Sequence, residues 1–347
     1  MSLPDPVPPR KLRRIGLYAP FVILLVAIVI WSGFWLWARD QAVQRLDTAV
    51  ADLKTAGYAI AWKDRAVGGY PFRMDVTLTE FSAREPSGWA IEAPSLEAEA
   101  MMHALDHWLV AAPRGLTFVR PLGGPVAVKG ELIRASLTHL DRRPPSFSFE
   151  GVKLTFEPQP GAQPFALSAA DRVEFHLRAG PDDEGGVFAE VKNGKARLSG
   201  LFARIAGDKP VSITWNSTLS KVSAFRGKTW LDAVRRWTAA GGQMSVRSAG
   251  ITAGDATVGA NAGKLSVGSD GRLTGHLDLA LRQAPRALGV MGDVGVIPQP
   301  NAAAAVAVAQ ARQGAGDVTQ ANLTFQSGQT TIGPVAIGPA PKIYEVR

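Results

Sequence analysis

The chain has no cysteine, five histidines and four tyrosines among its 347 residues. Without thiols there are no disulfides, thiolate zinc sites, iron–sulfur clusters or cysteine nucleophiles. Export remains open, because an oxidising compartment permits disulfides without requiring them and a chain of this length can be stabilised by burial. Concentrated charge is also scarce. Of the net +8, the first 14 residues carry Arg10, Lys11, Arg13 and Arg14 against Asp5, which leaves only +5 for the rest. No basic block with interleaved aromatics follows, so nucleic acid is not an expected partner.

Catalytic and cofactor motifs are missing as well. There is no G-x-S-x-G elbow, and Gly268-Ser269-Asp270-Gly271 has the spacing of a hairpin turn. Gly263-Lys264-Leu265 lacks both the upstream glycine and the hydroxyl of a phosphate-binding loop. His103 and His107 have the i, i+4 spacing of a helical metal pair, but Ala104 stands where a zincin needs Glu. Glu97 and Glu99 alternate with alanines and read as a solvated strand edge, and Asp182-Asp183-Glu184 sits in a Gly/Pro-rich turn without calcium-ligand spacing. No catalytic, metal or cofactor-binding residues are expected, and the protein is expected not to be an enzyme.

What the chain has instead is a 24-residue stretch without charge, Ile15 to Ala38, directly behind the basic cluster. A bilayer core of about 30 Å needs roughly 20 apolar helical residues. Between Phe21 and Trp37, eleven residues are Leu, Ile, Val or Phe, each favouring insertion by about 0.3–0.6 kcal/mol at mid-membrane. The anchoring residues are Pro20, Phe21, Leu24, Leu25, Ile28, Trp31, Phe34, Trp35 and Trp37, with Pro20 read as a first-turn proline and the indoles placed at the outer water–lipid boundary. Arg10, Lys11, Arg13 and Arg14 set topology: the positive-inside rule holds the N-terminus in the cytoplasm and exports residues 39–347. A cleavable signal is disfavoured, since a cut after Ala38 puts Leu36 at −3 and one after Gly33 puts Trp31 there.

Residues 1–14 read as a disordered basic tail and 15–38 as the transmembrane helix. Val43, Leu46, Val50 and Leu53 continue a helical period to Gly57. That predicts a juxtamembrane helix over 39–57, which either lifts the body off the bilayer or packs on its first strands. From residue 58 the period becomes two: Phe72, Met74, Val76 and Leu78; Phe147 and Phe149; Val173, Phe175 and Leu177; Val211, Ile213 and Trp215; Leu277, Leu279 and Leu281. Each run has one apolar and one polar face, as antiparallel strands over a core require. Gly151 precedes a phase slip to Val152, Leu154 and Phe156, which suggests a bulge. The 36 glycines and 24 prolines, about 17% against a usual ~12%, fall between these runs.

Two helical stretches interrupt the strands. Thr229 to Ala240 carries Trp230, Leu231, Val234 and Trp237 on one stripe, with Thr229 and Asp232 as a capping pair and Gly241-Gly242 as its end. The stripe packs on the sheet or touches the membrane. Asn301 to Gln313 is alanine-rich and suits a surface helix. The expected fold is mainly β: one N-terminal transmembrane helix, then an elongated, curved antiparallel sheet over 58–347 with a few short helices, either whole or in two halves divided near 220–240.

Several phrases resemble a known family. They are the turn Gly69-Tyr70-Pro71 entering Phe72-Arg73; Trp237 to Met244 with Gly241-Gly242; the small-residue strand pair running to Gly275; and the closing Ile332-Gly333-Pro334-Val335 to Pro341. Together they resemble the Gram-negative envelope family known as domain of unknown function 2125, although Ile251 to Val258, between the motifs, is more polar than that likeness leads one to expect. The resemblance implies a bacterial inner-membrane protein with a periplasmic β-rich domain, and more distantly the AsmA-like envelope proteins, whose long curved sheets are associated with lipid handling. It supplies no catalytic residues. Two functions follow as expectations: binding or guiding lipid or another apolar ligand in envelope maintenance, or a non-enzymatic structural role as partner of an envelope protein.

Overall fold

A computed structural model of the chain describes residues 15–140, 145–196, 209–227, 229–253, 256–282, 299–311 and 318–344. The basic cluster Arg10, Lys11, Arg13 and Arg14 lies outside them. Helix α1 runs unbroken over Ile15–Thr55, 41 residues or about 60 Å at 1.5 Å per residue. The expected transmembrane and juxtamembrane helices are thus one rod, with no break at Arg39-Asp40. Pro20 lies inside the rod rather than in its first turn; one missing N–H so near the end interrupts a single helical bond. Gly57 closes the helix at φ +95° while Tyr58 N–H reaches back to Leu53 O at 3.0 Å.

Strands follow at once. β1 (Ala59–Ala61) and β2 (Asp64–Gly68) share one edge of β3 (Arg73–Arg84), and β3 pairs with β4 (Ala90–Met101). The far edge of β4 is shared by β5 (Trp108–Ala111) and β6 (Leu116–Arg120). These pair in turn with β8 (Leu132–Thr138) and β7 (Gly124–Lys129), which both meet β9 (Ser146–Pro158). From β9 the chain is a plain meander. It passes through β10 (Leu167–Ala179), β11 (Glu184–Ala196), β12 (Val211–Ser220), β13 (Met244–Ala253), β14 (Ala256–Val267), β15 (Leu273–Arg282), β16 (Val318–Gln326), β17 (Gln329–Ile332) and β18 (Val335–Pro339). All these pairings are antiparallel. Among the described residues this is one open sheet of eighteen strands in fifteen ranks, about 65–70 Å across at ~4.8 Å per rank.

Among the described residues two short helices sit on this frame. A 3-10 turn (Val222–Ala224) and α2 (Trp230–Ala239) fill the connection from β12 to β13, and α3 (Gln299–Ala311) precedes β16. The sheet is not divided at 220–240, because β12 and β13 stay paired from Val211↔Ala253 to Leu219↔Met244. α3 is more than a surface helix: Ala302 and Ala305 are buried in one core cluster with Val246, Leu265, Leu277, Leu279 and Phe325. A second cluster holds Ala112, Val128, Ile133 and Leu154, and a third joins Trp35 and Ala38 of α1 to Met74 and Met102.

The apolar phase is kept by left-handed residues inside strands. Glu80, Lys153 and Asn193 have φ of 47°, 51° and 49° in β3, β9 and β11, and at Asn193 the register against β12 shifts between Val191 and Gly194, as at a bulge. The bulge expected at Gly151 is not formed, since β9 keeps its register against β8 and β10 there; the reversed backbone lies two residues later, at Lys153. Gly151 contributes space: a Cβ there would stand 2.5 Å from Leu154 Cδ1, and Leu154 is buried in the second cluster. The side chains of the slip interlock, with Lys153 Nζ and Asn193 Nδ2 donating to Asp171 at 3.1 and 2.9 Å.

The opposite face is polar. Arg134 and Arg172 both donate to Glu150 at 2.6 Å, and Arg172 also pairs with Glu174 at 2.6 Å. The Arg134 hydrogen bond, with the charges of both arginines, holds the Glu150 carboxyl below its ordinary range. A lowered folded-state value means this stabilisation is complete above the unfolded carboxylate value of about 4.3 and fades as pH falls through it. Glu150→Gln is therefore expected to cost about 1 kcal/mol at pH 7 and clearly less below pH 4. Urea unfolding at the two pH values checks this, and an equal loss at both would contradict it.

Candidate apolar binding face

Strand alternation places every second residue on one side, and the registers show which residues line up across the sheet. One row reads Val67, Val76, Ala98, Val110, Ala135, Phe149, Phe175, Ala189, Trp215, Ala249, Ala260, Leu279 and Ala321, each opposite the next. Thirteen ranks are crossed without a polar residue. With 46% of the chain hydrophobic, composition alone does not produce such a row.

Two further rows flank it. Ile133, Gly151, Val173, Val191, Ile213, Ile251, Val258 and Leu281 face one another in turn. On the other side run Trp108, Leu137, Phe147, Leu177, Val187, Ser217, Val246, Gly263, Leu277, Leu323 and Ile332. Ser217 is the one polar side chain in that row, and its hydroxyl accepts from Trp215 Nε1 at 2.9 Å. The rows between them are mainly polar, for example Ser136, Ser148, His176 and Asn216, with Leu109 and Phe188 the apolar members of that row. Aromatic rings concentrate in the middle, where Phe147 and Phe175 lie 6.1 Å apart.

Cover is uneven along this face. At one end Trp35 and Ala38 of α1 close over Met74, with Val67 and Trp108 packed beside them. At the other, α3 contributes Ala302 and Ala305 to the cluster around Leu277 and Leu279. Between these ends Phe147, Phe149, Leu177, Val191, Ile213 and Trp215 are only partly buried, and Phe175 and Ile251 keep 36% and 37% exposure. A separate open recess of about 410 Å³ lies at the end of α1, lined by Lys54, Tyr58, Ile60, Arg84 and Glu92 among others. Burial and the nearby Glu85 charge raise the Tyr58 hydroxyl pKa.

The anchoring residues divide into two groups. Phe21, Leu24, Leu25 and Ile28 are exposed along the helix, as are Pro20, Phe34 and Trp37. Trp31 and Trp35 instead tie the helix to the body: their indole N–H groups donate to Pro71 O and Arg73 O at 2.9 Å each. Ser32 Oγ and Tyr70 OH share a hydrogen bond of 2.9 Å, and the Trp35 and Tyr70 rings meet edge to face at 5.6 Å. The turn Gly69-Tyr70-Pro71, with a cis peptide before Pro71, is thus the docking point for α1. Within residues 39–57, Ala42 packs against the Trp35–Met74 cluster and Asp47 pairs with Arg65 of β2. A signal for it was present, since Trp31, Trp35, Ala38 and Ala42 have the spacing of one helical stripe.

The other motif positions are structural. Gly241 and Gly242 follow α2, and the Trp237 ring lies so close that a Cβ on Gly242 would stand 2.2 Å from it. Trp237 is buried and donates to Ser220 O at 2.6 Å. Gly333-Pro334 forms the turn between β17 and β18. Thr229 caps α2 through Asp232 N–H at 3.2 Å, as expected. Ile251 to Val258 is not one strand but the facing ends of β13 and β14.

His103 and His107 do not share a helix; they lie in the turn between β4 and β5, where His107 meets Asp106 at 3.4 Å and the His139 ring at 5.6 Å. Among the described residues no group of three metal-ligating side chains forms. Asp183 bonds Ser223 N and Oγ at 2.8 and 2.9 Å, holding the 3-10 turn. Glu97 and Glu99 lie on the polar face of an inner strand rather than at an edge, and Glu99 pairs with Arg73 at 3.2 Å.

These features define an open antiparallel sheet with one apolar face and a long apolar N-terminal helix docked at its first ranks. The family described as uncharacterized protein conserved in bacteria, DUF2125, matches residues 35–341, and the chain belongs to it. No curated protein and no solved structure matches the chain.

The docking contact has a measurable weight. Trp35→Ala is expected to lower stability by about 3 kcal/mol and Trp35→Phe, which loses only the hydrogen bond and part of the ring, by about 1 kcal/mol. Thermal unfolding of the full chain in detergent, with limited proteolysis near residue 57, checks this; two variants as stable as the parent would contradict it.

Proposed function

We propose that this is a membrane-anchored protein whose β-rich body binds or guides lipid, or another apolar ligand, along the apolar face, as part of envelope maintenance and without catalysing a reaction. The observation that carries the reading is the thirteen-rank apolar row, flanked by two others and only partly covered in its middle. A monomer seldom leaves so long a contiguous apolar surface to water. Each CH₂ of an acyl chain shielded there contributes about 0.8 kcal/mol.

The proposed setting is the bacterial inner membrane, crossed once by the first part of α1. The helix is long and apolar enough to span a bilayer, and its basic flank supports a cytoplasmic N-terminus with the sheet in the periplasm. No metal or cofactor has a part in this reading.

A second reading is a structural or assembly role with an envelope protein. The outer ranks, β1/β2 and β18, pair on one side only among the described residues, and such edges accept a partner strand. Photocrosslinking in living cells separates the two. A benzoyl-phenylalanine at Phe175, Ile213 or Ile251 is expected to capture radiolabelled phospholipid, and one at Ser148 or His176, on the polar face, is not. Equal or absent lipid capture on both faces, with a stoichiometric protein adduct at β18, would decide for the assembly role.

A further inference from the structure

Seating of the body on the bilayer follows from where α1 is held. Counting about 30 Å of hydrocarbon from Arg14, at 1.5 Å per residue, brings the helix to the outer boundary near Phe34. The hydrogen bonds from Trp31 and Ser32 fix Pro71 and Tyr70 at that same level. The β2–β3 turn therefore cannot stand clear of the membrane while the helix spans it.

The residues at this end of the first strands have the matching chemistry. Phe72 is 71% exposed and Tyr70 50%. Met101, opposite Arg73 across the strand pair, and Leu140, just beyond β8, are each 48% exposed. Met102 N–H reaches Phe72 O at 3.0 Å, so the β2–β3 and β4–β5 turns move as one piece. The adjoining apolar surface is the helix itself, where Phe34 and Trp37 are exposed and stacked at 5.9 Å.

We infer that Tyr70, Phe72, Met101 and Leu140 form a membrane-inserting edge that buries itself at the headgroup–acyl boundary beside α1 and sets the first ranks of the apolar face directly on the lipid. This rests on the membrane-anchored reading above. Amphipathic aromatic and apolar groups at this depth are stabilised by burial in the interface. The seat also leaves no aqueous gap between bilayer and sheet.

Depth-dependent quenching tests it on the full chain, which has no native cysteine to remove. The single substitutions Leu25→Cys, Phe72→Cys, Met101→Cys and Leu122→Cys each carry an environment-sensitive fluorophore, in vesicles of phosphatidylethanolamine and phosphatidylglycerol with a lipid spin-labelled near the headgroup or at mid-chain. Position 122 is the reference: Leu122 is almost wholly exposed but lies in the β6–β7 turn, at the far strand ends. The headgroup-proximal quencher is expected to reduce emission at 72 and 101 about threefold more than at 122, with 25 quenched from mid-chain. If 25 is quenched while 72 and 101 match 122, the helix spans and the seat is wrong. If 25 is not quenched either, the anchoring reading falls and the seat with it.

Discussion

The structure depends on one constraint, that a continuous apolar row stays on a single side of the sheet through thirteen ranks. In a lone pair of strands, a slip of one residue exchanges the faces. Across thirteen ranks such an exchange anywhere would cut the apolar row and bring charged groups such as Glu150 and Arg172 onto the apolar side. The left-handed residues Glu80, Lys153 and Asn193 are the corrections that keep the phase in long strands. Their side chains are tied across ranks, as in Lys153–Asp171–Asn193, so the irregularities are pinned rather than free to slide.

This sidedness also explains how the molecule ends. A sheet with one apolar face needs either closure into a barrel or cover. Here the cover is local: α1 closes the first ranks through Trp35 and Ala38, and α3 closes later ones through Ala302 and Ala305. The middle ranks, where the phenylalanines of β9 and β10 and Trp215 gather, are left partly open. The same helix that covers the first ranks is the apolar rod, so whatever holds α1 also holds the beginning of the face. The turn Gly69-Tyr70-Pro71 is the joint between them, which gives that motif a physical reason to exist.

Much of this was legible in the residues. Period-two runs such as Val173, Phe175 and Leu177 announce two-faced strands, and Thr229 with Asp232 announces a helix start. Gly241-Gly242 marks its end because Trp237 needs the space. The apolar rod is plain from composition. What alternation could not supply is register: Phe149, Phe175, Ala189 and Trp215 belong to four different strands, and nothing local says that they line up. The phase slip was visible but its place was not, since Gly151 makes room while Lys153 carries the reversed backbone. What Trp31 and Trp35 bond is equally hidden, because their partners, the carbonyls of Pro71 and Arg73, lie about 40 residues away and carry no sequence signature. The i, i+4 spacing of His103 and His107 has meaning only on a helix, and that segment is a turn.

The most direct test of the central claim, that the middle of the apolar face is a lipid-like environment rather than a packed core or a wetted surface, is nitroxide accessibility along β10. Spin labels at positions 175, 176, 177 and 178 of the full chain, reconstituted in bilayer discs, are read by collision with oxygen and with a polar nickel chelate. The account predicts a two-residue alternation, with 175 and 177 open to oxygen and shielded from nickel, and 176 and 178 open to nickel. Shielding of 175 and 177 from both reagents, or equal access to nickel at all four positions, would contradict it.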